Sequence, residues 1–195
     1  WYVNANETQS WLGNPARAGR NHIGQVYGAA LYEGELEAVL HKLANQEDDR
    51  GLMINFWKPE KFTLGSIRPC MYSHTITIID GTLHLTSNQR SMDVGLGGNF
   101  NSLQVWMLLQ FFAKISGLKV GTAKHVITNV HIYDSHVGAI KEQLSRTPDD
   151  INVEFKIADW VNSFEAITET DAHARDYFSL TGYSPQGKIN MDLVA

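Results

Sequence analysis

Hydrophobic positions along the chain change their period several times, and each change marks an element. Between Glu33 and Gln46, residues Leu36, Val39, Leu40 and Leu43 recur at helical spacing. That pattern predicts an amphipathic surface helix, closed by the polar run Asn45-Gln46-Glu47-Asp48-Asp49. Leu52 to Trp57 is an apolar run of strand length, and Thr75-Ile76-Thr77-Ile78-Ile79 alternates as far as Asp80-Gly81. Asp-Gly between two strand-like runs favours a hairpin, because both turn positions want positive φ, and Thr82 to Asn88 supplies the return strand. From Asn101 to Ser116 the apolar residues Leu103, Val105, Trp106, Met107, Leu108, Leu109, Phe111, Phe112 and Ile115 lie nearly all round a helix. This predicts a central buried helix with Gly117 as its C-terminal stop. His125 to Tyr133 reads as a strand, and Ser135 can cap a helix carrying Val137, Ile140 and Leu144 that Thr147-Pro148 ends. Asn152 to Ala158 reads as a later strand, and Tyr177 to Ala195 as an irregular tail. The sum is an α+β fold: a mixed, largely antiparallel sheet packed by helices around one buried central helix, in a single domain over 1–195.

Composition narrows what such a domain can do. With 195 residues, 43% of them hydrophobic, the chain can bury one sizeable core. A net charge of -5 gives no overall attraction to nucleic acid or to an anionic membrane, so neither is expected as a partner. A bound anion must be held by individually placed cations. No stretch approaches the roughly 18 apolar residues of a membrane span, and no export signal is visible. One cysteine without an export signal fits a reducing cytoplasm. The chain begins at Trp1 rather than at a methionine, and an N-terminal portion is expected to precede it. No metal is expected, since His131 and His136 stand five apart and no cysteine pair exists. Gly95-Leu96-Gly97-Gly98 reads as a loop where backbone passes close to something or simply turns, without the lysine or the strand-to-helix setting of a phosphate loop.

Candidate chemistry gathers around Cys70. A lone thiol cannot form an intramolecular disulfide, so its value lies in packing or in reactivity. Arg90 and Ser91 stand at the end of the hairpin, Asp93 and Asn101 bracket the glycine run, and His131 and Tyr133 lie at a strand end. Taken singly, Arg90 could be a surface cation, Asn101 a helix cap, His131 a satisfied imidazole and Tyr133 the edge of a core. Their order and spacing carry more than any one of them.

Pro69-Cys70, Gln89-Arg90-Ser91-Met92-Asp93, Leu96-Gly97, Phe100-Asn101 and His131-Ile132-Tyr133 together resemble the signature of the thymidylate synthase family. The resemblance extends upstream to Asn4, Gly24, Val26-Tyr27-Gly28 and Asp49-Arg50. Downstream it takes in His136, Gln143 to Pro148, Leu180-Thr181-Gly182-Tyr183 and the closing Val194-Ala195. It implies an enzyme that moves a one-carbon unit from 5,10-methylenetetrahydrofolate, a cosubstrate, to C5 of dUMP. Cys70 would be the thiolate that adds to uracil C6, making C5 a nucleophile. Arg90 would favour the thiolate and bind the phosphate as a bidentate fork, with Gln89 and Ser91 beside it in the substrate site.

The same resemblance assigns further residues. Asn101 would donate to uracil O4 and accept from N3-H, favouring dUMP over dCMP, since related hydroxymethylases of dCMP carry Asp there. His131 and Tyr133 would hold the 3'-hydroxyl, and Tyr27 would order the water that takes the C5 proton. Trp1, Asn4, Asp93, Gly97, Phe100 and Ala195 would line and close the folate site, Asp93 touching both sites. Arg50 would reach the partner's phosphate across a homodimer. The general-base Glu and one further Arg of the family would lie before Trp1, so the 195 residues alone are expected to be inactive.

Four departures bear on the outcome of the reaction. Met71 stands where the family has His and Gly51 where it has a second Arg. Ala29-Ala30-Leu31 stands for Gln-Trp-Arg, and Gly98-Asn99 for Leu-Pro. Arg50 to Ile54 is similar to the run in nucleotide 5-hydroxymethylases, where water rather than hydride captures the exocyclic methylene. Trp1 and Asn101 favour the synthase outcome.

Overall fold

In a computed structural model of the chain, residues 15–17, 22–168, 174–192 and 194 are described. Trp1, Asn4 and Ala195, expected at the folate site, lie outside them. The first amphipathic pattern forms helix α1 (Glu35–Ala44), which buries Val39, Leu40 and Leu43 on one stripe. A four-stranded sheet follows in the order β1 (Met53–Asn55), β2 (Met71–Ile79), β3 (Thr82–Asp93), β4 (Lys119–His131). β1, β2 and β3 are antiparallel neighbours, and β3 and β4 run parallel.

The hairpin turns at Asp80-Gly81 as its sequence demands, with φ of 48° and 71°. Its return strand runs five residues beyond the expected Asn88, to Asp93, because β4 pairs alongside as far as Asp93 opposite His131. A parallel partner needs a crossover, and helix α2 (Asn99–Ser116) supplies it before Gly117 stops it in the left-handed region at φ 64°. Val94–Gly98 forms a π-helical turn directly between β3 and α2. The glycine run therefore does have a strand-to-helix setting, contrary to the sequence reading, although no lysine accompanies it.

Core packing explains where the polar site begins. On one face of the sheet the cross-strand pairs are Ile78 with Leu83, then Ile76 with Leu85, then His74 with Ser87. The aliphatic pairs pack with Val105, Leu109 and Phe112 of α2 and with Leu43 and Leu52. Burying each such side chain stabilises the fold by about 1.5–3 kcal/mol. The face thus turns from aliphatic to polar as it nears Cys70. α2 buries Val105, Leu109, Phe111, Phe112 and Ala113 but leaves Phe100, Leu103 and Trp106 exposed, so its apolar circumference is only partly used by the described residues.

The later elements differ more from expectation. Ser135 does not cap a helix; it lies in a 3-10 turn (Asp134–His136) that runs directly into α3 (Val137–Ser145), whose first turn has no side-chain cap. The tail is not wholly irregular: β6 (Phe178–Thr181) pairs antiparallel with β5 (Glu154–Ile157), shorter than the Asn152 to Ala158 expected. Phe155 stacks on Phe178 at 5.7 Å, an aromatic cross-strand contact that stabilises this small sheet.

Candidate active site

Topology brings the nominated residues to one edge. Parallel strands end at the same side, so the C-terminal ends of β3 and β4 put Ser91 opposite Asn129 and Asp93 opposite His131. β2 runs antiparallel to β3, so its beginning, at Cys70, meets the end of β3. The N–H of Arg90 donates to the carbonyl of Cys70 at 2.8 Å. Ligand sites in sheets with parallel strands form at such carboxyl ends.

Cys70 is half-buried, and its thiol is free. Arg90 is held by its own neighbours: Nε donates to the Pro69 carbonyl at 3.0 Å and Nη2 to the Arg68 carbonyl at 3.1 Å. Nη2 also lies 3.9 Å from Cys70 Sγ. The guanidinium sits 5.8 Å from the ring centroid of Trp57, which in turn packs edge-on against Phe62 and Tyr72. A cation over an indole face is attracted by the ring quadrupole and loses freedom. Trp57 is thus a site residue that motif reading passed over; its signal was a large aromatic at the end of a short strand.

Tyr27 meets the backbone of Cys70. It is held at φ 51°, unusual for a bulky residue and costing about 1 kcal/mol or more. Its hydroxyl accepts from the N–H of Cys70 at 3.4 Å. Burial pushes the phenol up to about 12, with the Cys70 sulfur adding to the shift, so the proton stays on oxygen at neutral pH. The ring meets Phe56 edge-on, and Phe56 meets His74 in the same way.

Around the glycine turn, Asp93 acts first as a cap. Its carboxylate accepts from the N–H groups of Gly95 at 2.9 Å and Leu96 at 3.4 Å. Gly97 lies against Asn101, whose Nδ2 is 3.4 Å from the position a Cβ at Gly97 would take. Phe100, on the first turn of α2, is 73% exposed at the lip of an apolar groove of about 430 Å³ lined by Leu103, Gln104, Met107, Leu108, Phe111 and Phe178.

On β4, His131 Nδ1 is 2.9 Å from Asn129 Oδ1, and its ring meets Tyr133 edge-on at 5.1 Å. Tyr133 then meets His136, which is buried. His136 Nε2 donates to the carbonyl of Asp192 at 2.7 Å and its Nδ1 lies 3.7 Å from the Asp93 carboxylate. His136 therefore ties the chain near the C-terminus to the glycine turn. Gln89 is fully buried below Ser91 and bonded at both ends of its carboxamide. Arg50 is not drawn into this cluster; it is exposed in the turn that enters β1 at the end far from Cys70.

The arrangement offers a free sulfur beside a fixed guanidinium and a protonated phenol at its backbone, with the imidazole of His131 and the phenol of Tyr133 in contact with each other at the same edge of the sheet. A family model described as thymidylate synthase matches residues 2–195. The thymidylate synthase of Pseudoalteromonas translucida is 42% identical over 193 residues, covering 94% of this chain and 67% of that relative. That of Photobacterium profundum is 43% identical over 158 residues, covering 76% of this chain and 56% of the relative. The solved structure of thermostable thymidylate synthase A from Bacillus subtilis superposes with a TM-score of 0.75 at 26% identity, over 89% of this chain and 63% of that one. The chain belongs to the thymidylate synthase family. It spans between just over half and two thirds of the length of these relatives.

Proposed function

We propose that the protein transfers a one-carbon unit from 5,10-methylenetetrahydrofolate to C5 of dUMP and reduces it to the methyl of dTMP. The observation that carries this reading is Cys70 Sγ standing 3.9 Å from a guanidinium that two backbone carbonyls hold in place. The sulfur is the atom that must add to uracil C6, and the guanidinium puts a fixed positive charge beside that reacting atom. The addition forms the S–C6 bond and moves the electron pair to C5, which then attacks the one-carbon unit. Loss of the C5 proton and elimination of Cys70 restore the ring. The folate supplies the carbon and a hydride, and leaves as dihydrofolate.

Arg90 and Ser91 hold the phosphate, Asn101 reads uracil O4 and N3-H, and His131 with Tyr133 bind the sugar hydroxyl. Tyr27, with its proton retained, orients water towards C5. On the folate side, the exposed ring of Phe100 above an apolar groove suits a stacked heteroaromatic and aryl group. Asp93, Gly97 and Ala195 serve that side.

The active unit is a homodimer, in which Arg50 serves the partner's phosphate site. The second face of the sheet supports this: it carries Met53, Ile79 and Val126 exposed among Thr75, Thr77 and Thr86. Since the chemistry depends on a free thiol, the enzyme works in a reducing compartment, the cytoplasm. Product analysis of the complete protein with dUMP and methylenetetrahydrofolate tests the reading. Dihydrofolate and dTMP support it; tetrahydrofolate with 5-hydroxymethyl-dUMP overturns it.

A further inference from the structure

Beneath the end of β3 the sheet face that meets α2 carries an unusual polar row. His74 Nδ1 is 2.7 Å from Ser87 Oγ, Ser87 pairs with His125 across the parallel ladder, and His125 Nε2 is 2.8 Å from Gln89 Oε1. Gln89 is 1% exposed, so its amide groups must be met inside the protein. Its Nε2 donates to the Ser91 carbonyl at 2.8 Å. A carbonyl can only accept, which fixes the orientation of the carboxamide: NH2 towards Ser91, oxygen towards His125. His125 must therefore carry its proton on Nε2. Its Nδ1 is buried without a hydrogen-bond partner among the described residues, so a second proton there would be an unmet donor.

We propose that His125 is a positioning residue which, through the Gln89 carboxamide, braces the backbone at Ser91 and so holds Arg90 and Ser91 in the geometry that receives the nucleotide phosphate. This rests on the nucleotide-binding reading above. The brace is needed because the regular ladder from β2 is interrupted between Met71 and Ser73, beside Gln89. Beyond that interruption β2 gives β3 only the Met71–Gln89 pair and the bond from the Arg90 N–H to the Cys70 carbonyl among the described residues, and the His125–Gln89–Ser91 chain adds a side-chain link from β4 to β3 at that point. Such a buried, doubly engaged amide has one low-energy arrangement and passes it to the backbone it touches.

Two substitutions in the complete protein test this. H125F keeps aromatic volume and removes the donor; H125Q restores a donor. H125F should weaken dUMP binding about tenfold in calorimetry while kcat changes less than about threefold, and H125Q should recover affinity to within about threefold. Without any nucleotide present, the Gln89 carboxamide protons, followed by NMR, should be protected from exchange in the wild type, exposed in H125F and protected again in H125Q. Unprotected Gln89 protons in the wild type contradict the brace even if H125F fails to fold. An H125F affinity within about twofold of wild type, or equal losses in H125F and H125Q, also overturns the proposal. If the wild type binds no dUMP, the nucleotide reading itself fails, while the exchange of Gln89 still decides whether the brace exists.

Discussion

Cys70 stands opposite Arg90 because β2 carries one residue more than β3 between them. Ser73 pairs with Asn88, but Met71 pairs with Gln89, leaving Tyr72 as a bulge. A regular ladder continued from the Asp80-Gly81 turn would set Cys70 opposite Ser91. The extra residue moves it by one, and the N–H of Arg90 then closes on the Cys70 carbonyl at 2.8 Å. Bulges re-aim side chains next to functional sites, and here the bulge decides which residue the thiol meets.

Arg90 is held as a fork rather than as a charge. R90K keeps the charge but loses the separate donors that reach Pro69, Arg68 and the sulfur. We expect dUMP affinity to fall roughly 10- to 100-fold in R90K, as measured by calorimetry, with the far-ultraviolet dichroism unchanged. Wild-type affinity in R90K would mean that charge alone suffices.

Tyr27 should titrate late for a phenol. Its folded value of about 12 lies above the ordinary 10, chiefly through burial. The protonated phenol is therefore favoured in the folded state; this stabilisation is complete below pH 10 and is lost as pH rises towards 12. An ultraviolet titration should show a late-titrating phenol in the wild type that Y27F lacks. Y27F also removes the acceptor for the Cys70 N–H and should cost about 1 kcal/mol in urea unfolding at neutral pH.

Acid should destabilise the protein through His74. Burial, with His125 nearby, lowers its folded value from 6.5 to about 4, so the unfolded chain binds the proton more readily. The stabilisation is full above 6.5, falls as pH drops, and levels off near 4, a total of roughly 3 kcal/mol. Denaturant midpoints between pH 7 and 4.5 should show the decline. H74Q, which keeps a partner for the buried Ser87 hydroxyl, should flatten that part of the profile.

Much of this was legible in the sequence, and what was not has identifiable causes. Strict alternation around Asp80-Gly81 specified the hairpin, since period and turn chemistry agree there. Strand direction carries the motif residues Cys70, Arg90, Ser91, Asp93 and His131 to one edge of the sheet, where Cys70 lies beside Arg90 and His131 touches Tyr133. The Tyr72 bulge was hidden because nothing in Met71-Tyr72-Ser73 marks an extra residue. β6 was missed because Phe178 to Thr181 lacks a strong period and is stabilised by Phe155 from a distant strand. Trp57 and His125 act through packing or buried bonds that sequence spacing does not display, as does the bond of His136 to Asp192, although His136 itself stood in the motif.

The glycine turn gives a test of the folate side. A Cβ on Gly95 would fall 2.7 Å from Met191 Sδ and 3.1 Å from His136 Nδ1. G95A should displace the chain near Asp192 from its bond to His136 while changing stability by only about 1 kcal/mol, because the thioether can move. The KM for methylenetetrahydrofolate should rise severalfold while dUMP affinity holds. A rise in both would show that the turn serves the nucleotide as well.

Covalent capture by Cys70 is the claim on which the rest depends. Intact-mass analysis of the complete protein mixed with 5-fluoro-dUMP and methylenetetrahydrofolate reads it directly, since fluorine at C5 blocks the proton loss that would release the sulfur. The expected result is a ternary adduct whose mass equals the sum of the three components, mapped by peptide analysis to Cys70 and absent from Cys70→Ser. No adduct on the wild type, or an adduct that persists in Cys70→Ser, would contradict the account.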